Sequence, residues 1–117
     1  MNNYIQIYNN ALSNDYCDEL KDKFESCSYN ESFEQGPMSF SQINLNQHPE
    51  WNADVKKCTH HFTKYIEQYK QDCAITSEMW PNSYAFEEIR LKRYLSNGQD
   101  EFRPHVDAVS LASAIRF

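Results

Sequence analysis

Apolar residues recur along this chain with two periods, and each change of period marks an element. The stretch Tyr4-Ile5-Gln6-Ile7-Tyr8 alternates and predicts a short strand, broken by Asn9 and Asn10. Ser13 or Asn14 then caps a helix reaching to about Cys27. Its residues Tyr16, Cys17, Leu20, Phe24 and Cys27 follow three-and-four spacing and set one face against a core. Residues 28–50 are polar and irregular, with Gly36-Pro37 as a turn and Ser39 to Leu45 as a candidate strand. Pro49 suits the first turn of a second helix. In it Trp51, Val55, Cys58, Phe62, Ile66, Tyr69 and Cys73 recur at 4, 3, 4, 4, 3 and 4, which predicts a long amphipathic helix laid on a sheet. After the loop Trp80-Pro81-Asn82 the period returns to two. Phe86 to Leu95 predicts a strand with Ile89, Leu91 and Leu95 on one face and Arg90, Lys92 and Tyr94 on the other. Asn97-Gly98 predicts a turn, and Phe102 to Asp107 a further strand, with Pro104 favouring its start or an edge. Ala114 to Phe117 begins another apolar run.

With no repeat and no linker, the 117 residues predict one α+β domain. Aromatic residues make up 15% of the chain, which points to a ring-rich core or pocket. A net charge of -6 and a pI near 5.1 argue against nucleic-acid binding through phosphate neutralisation. Nothing approaches the run of about eighteen apolar residues that a membrane helix needs. Met1 to Tyr4 lacks the charged and apolar regions of a signal peptide. The four cysteines, Cys17, Cys27, Cys58 and Cys73, form no C-x-x-C pair, so thiols in a reducing cytoplasm are expected rather than a zinc ribbon.

Candidate chemistry lies in His105-Val106-Asp107. Residues two apart on a strand share a face, so this imidazole and carboxylate can reach one metal ion. They supply two of the three protein ligands of a 2-His-1-carboxylate site, the kind that holds Fe(II) with open positions. The neighbouring pair His60-His61 points about 100° apart on a helix and reads as a solvated face. His48 reads as a loop residue, and Cys58 and Cys73 as core.

The context of the triplet carries a family resemblance. The order Phe86-Glu87-Glu88-Ile89-Arg90-Leu91-Lys92-Arg93-Tyr94, then Asn97-Gly98, then Phe102-Arg103-Pro104-His105-Val106-Asp107 resembles the prolyl 4-hydroxylase-like branch of the Fe(II)/2-oxoglutarate-dependent dioxygenases. Residues 109–117 resemble the segment leading into that family's next barrel strand, and Ala11 to Leu20 its N-terminal opening. The resemblance implies the N-terminal part of a double-stranded β-helix, a jelly-roll or cupin-like barrel, with two supporting helices. It implies His105 and Asp107 as iron ligands, Tyr94 as a contact of 2-oxoglutarate and Phe102 near the substrate pocket. The implied cofactors are Fe(II) and 2-oxoglutarate, with O2 as co-substrate and ascorbate as an accessory reductant. The implied partner is a peptide or protein substrate hydroxylated at a prolyl or other residue, with no nucleic acid and no membrane.

The family's second histidine and its basic 2-oxoglutarate anchor have no counterpart in Ala108 to Phe117. There is room for about three of the eight barrel strands, so the chain is expected to be the front part of a longer domain. Two other readings stay open. One is a non-catalytic remnant or interaction module that binds through an exposed sheet edge. The other is a zinc or manganese site completed between two chains.

Overall fold

The computed structural model describes residues 3–35 and 38–105. They form an α+β arrangement of two α-helices and a four-stranded sheet whose assigned pairings are antiparallel. The chain divides into two compact units, one of Met1–Cys27 with Asn44–Ile89, the other of Ser28–Ile43 with the chain from Arg90 on.

In the first unit, helix α1 spans Asn14–Ser26. Its N-cap is Ser13, whose hydroxyl accepts from the Tyr16 N–H and satisfies a donor that the first turn leaves open. Tyr16, Leu20 and Phe24 are buried, while Cys17 faces outward. Two 3₁₀ turns, Leu45–Gln47 and Pro49–Trp51, lead into helix α2, Asn52–Asp72. Pro49 opens the second turn, where its missing N–H costs nothing. Leu45, Trp51, Cys58 and Cys73 complete this unit's core, and Trp51 is 0% exposed. Full burial of one such large apolar side chain contributes about 1.5–3 kcal/mol. The apolar stripe of α2 is buried at Cys58 and Cys73 but not throughout, since Phe62 is exposed and meets only the Phe86 ring, 6.4 Å away, among the described ring contacts.

A polar pin joins the helices. Asp54, in the first turn of α2, accepts from the Tyr16 hydroxyl at 2.7 Å through one oxygen and pairs with Lys23 Nζ at 2.7 Å through the other. Lys23 also donates to the Glu50 carbonyl at 2.6 Å and sits 4.3 Å over the Trp51 ring. Burial and the bond to Asp54 push the Tyr16 phenol above its ordinary range. Burial alone would raise Asp54, but the hydrogen bonds from Lys23 and Tyr16 outweigh it and hold the carboxyl below the usual carboxylate range.

Helix α2 ends in a Schellman motif. The Ile75 N–H reaches the Lys70 carbonyl at 2.8 Å and the Ala74 N–H reaches Gln71 at 3.1 Å, with Ala74 left-handed at φ 52°.

Residues 3–8 carry no strand, contrary to the alternation of their sequence. Side chains of α2 hold the segment instead: Tyr69 Oη donates to the Tyr4 carbonyl at 2.8 Å, and Tyr8 Oη donates to Asp72 at 2.7 Å. Ile5 and Ile7 are left 79% and 82% exposed. Alternation makes a segment competent to join a sheet, and a strand forms only where a ladder receives it.

The second unit is built on the sheet. Strand β1 (Glu31–Gln35) pairs antiparallel with β2 (Met38–Asn44), with Phe33 opposite Phe40 in register. β1 lies in the stretch expected to be irregular. On its other side β2 neighbours β3 (Arg90–Arg93) and pairs antiparallel with β4 (Glu101–Phe102), where Met38 faces Phe102 and Ser39 faces Glu101. β3 is shorter than the expected Phe86 to Leu95. Of the expected strand from Phe102 to Asp107, only Phe102 lies in a strand among the described residues.

Candidate functional site

The site candidates lie around the turn that joins β3 to β4, two strands that both neighbour β2, and that turn fixes where they stand. Gly98 adopts φ 72°, a left-handed conformation that glycine takes without a Cβ penalty. The Asn97 side chain accepts from the Gln99 and Asp100 N–H groups, both at 2.8 Å. Asp100 closes the loop by accepting from the Leu95 N–H at 2.8 Å, and the Ser39 hydroxyl on β2 donates to its other oxygen at 3.2 Å. The Leu95 N–H is the main cause holding the Asp100 carboxyl below the usual carboxylate range. Tyr94 precedes this clamp and Phe102 follows it, so the turn sets the spacing between them.

Alternation along β3 turns Arg90 and Lys92 outward, while Leu91 and Arg93 are half-buried. Arg93 donates to the Ser41 hydroxyl at 3.4 Å on the latter face. On the Lys92 face, Phe40 of β2 is the hub. Its ring centroid lies 5.3 Å from Tyr94 and 6.3 Å from Phe102, and Lys92 Nζ sits 4.6 Å above it and 5.2 Å from the Phe102 ring. These separations suit offset aromatic packing and cation–π attraction. Phe40 is buried, whereas Tyr94 and Phe102 remain 44% and 40% exposed.

His105 continues the cluster. Its ring packs edge-on against Phe102 with centroids 4.4 Å apart. Its Nδ1 lies 2.9 Å from the Arg103 carbonyl oxygen. A carbonyl oxygen only accepts, so Nδ1 carries the proton, and in the neutral ring the lone pair falls on Nε2. A backbone carbonyl on one ring nitrogen is the usual support of a histidine that ligates a metal through the other, so this imidazole fits an iron ligand.

Of the residues singled out from sequence, Tyr94, Phe102 and His105 are brought together through Phe40, and Asp107 lies outside the described residues. Among the described residues, no three His, Cys, Asp or Glu side chains gather where they could hold a metal. His60 and His61 contact edge-on at 5.7 Å on α2. The sequence reading gave Phe40 no role and left Lys92 as a residue of the Tyr94 face only. The alternation Met38-Ser39-Phe40-Ser41 marks Phe40 as a strand residue, but nothing local shows which strand will lie beside it.

No helix among the described residues is long and apolar enough to cross a membrane. Comparison of the chain with protein-family models, with curated proteins and with solved structures gives no match.

Proposed function

We propose that the chain carries the front part of an Fe(II)/2-oxoglutarate-dependent dioxygenase of the prolyl 4-hydroxylase-like kind, acting in the cytoplasm on a prolyl or other residue of a peptide or protein. The carrying observation is the order Tyr94, Asn97-Gly98, Phe102, His105-Val106-Asp107, together with the ring contacts that join Tyr94, Phe102 and His105 through Phe40. The finer fold in this proposal is a double-stranded β-helix to which the described sheet contributes strands.

Bound iron with 2-oxoglutarate would supply the oxidising power for C–H hydroxylation. His105 and Asp107 would hold the metal with a third ligand that Ala108 to Phe117 does not offer. The chain's own residues orient and shield. The Arg103 carbonyl fixes the His105 tautomer, Phe102 buttresses the imidazole, and Tyr94 presents a phenol on the same aromatic face. Phe40 makes the floor apolar, which limits access of water from that side.

Equilibrium dialysis against Mn(II), a redox-silent stand-in for Fe(II), tests the metal assignment. One ion per chain is expected, bound at least about tenfold more weakly in His105→Ala and in Asp107→Ala. Unchanged affinity in both variants would remove the assignment.

A further inference from the structure

Lys92 is the outstanding group of the candidate face. Its ammonium is held over two rings, and among the described residues it has no carboxylate partner. Of the lysines held over rings among the described residues, Lys92 is the one that stands on this face. Beside it stand the half-exposed rings of Tyr94 and Phe102, with His105 against Phe102. An ammonium held above aromatic faces has already lost rotamer freedom, so less ordering remains when an anion arrives.

From this we infer that the Lys92–Tyr94–Phe102 face binds an acidic peptide segment, with a Glu or Asp side chain paired to Lys92 Nζ and a neighbouring apolar side chain laid on the exposed rings. The inference rests on the oxygenase reading only in making that peptide the substrate. A free small diacid is the weaker occupant, because a lone ion pair on an open face gains less than about fivefold in affinity. A peptide adds coverage of the two rings to that pair. A nucleic acid suits the face less well, since its affinity grows with the number of phosphates neutralised, and Lys92 can neutralise one.

The test is fluorescence anisotropy on the whole chain without metal, with three labelled twelve-residue peptides. They share a central Leu-Pro and differ only in flanking residues: Glu, Ala or Lys. The Glu peptide is expected to bind about tenfold more tightly than the Lys peptide, a gap that narrows as salt rises. In Lys92→Glu the order reverses, and Tyr94→Ala weakens the Glu and Ala peptides alike. Circular dichroism confirms that each variant is folded. An undiminished Glu preference in Lys92→Glu, or no preference in the unaltered chain, overturns the inference. So does displacement of the Glu peptide by succinate or by a single-stranded oligonucleotide at the peptide's own concentration. Because metal is absent throughout, failure here leaves the Mn(II) result standing. Loss of Mn(II) binding likewise leaves a charge-selective peptide site intact.

Discussion

Tyr16 shows how one hydroxyl does work that its ring cannot. The ring is buried in the core, with Lys57 Nζ 3.7 Å from its centroid, while the hydroxyl satisfies one oxygen of Asp54. Tyr16→Phe keeps the packing and removes that donor. It is expected to cost about 1–2 kcal/mol in urea denaturation, a direct comparison because the volume barely changes. The same carboxylate sets an acid limit. Its folded pKa lies below its unfolded one, so its stabilisation is complete above the unfolded value, about 3.9, and is lost as pH falls through the lowered folded value. Unfolding free energy measured from pH 7 downward should therefore lose this contribution only in the acid range, and Asp54→Asn should flatten that loss.

The β3–β4 turn is the element on which the site depends, and Gly98 is its most exacting position. A Cβ there would meet nothing within 4 Å, so the cost of substitution is conformational alone. Gly98→Ala is expected to lower stability by about 1 kcal/mol, and Gly98→Asn by less, because asparagine tolerates the left-handed region. Thermal melting of the two variants separates backbone strain from crowding, which would rank them the other way. This turn was legible in sequence because Asn97-Gly98 encodes it locally, and α1 and α2 were legible because one face of each repeats every three or four residues. Residues 3–8 and 31–35 were not. The first has a strand's alternation without a ladder, and the second is a polar strand whose order comes from pairing with β2. The aromatic site was half legible for the same reason: Tyr94, Phe102 and His105 are close in sequence, while Phe40 joins them from more than fifty residues away.

Across the whole molecule, the reactive reporters are unevenly distributed. All four cysteines and both tryptophans fall within the first unit. None of the cysteines is in a disulfide; Cys17 is exposed, Cys58 and Cys73 are buried, and burial pushes the Cys58 thiol up. Timed alkylation read by mass spectrometry should modify Cys17 first, with Cys58 and Cys73 slower by orders of magnitude, since they react only when the unit opens. Equal rates at Cys17 and Cys58 would contradict this packing.

The ending of α2 bears on how readily such a protein changes. Ala74 occupies a left-handed position that nature usually gives to glycine, and it does so without leaving the Schellman bonds. Ala74→Gly is therefore expected to add about 1 kcal/mol to stability, seen as a raised melting temperature. The molecule holds an unspent margin one substitution away. In that background, harmful replacements on the aromatic face would be tolerated long enough for new specificities to be selected.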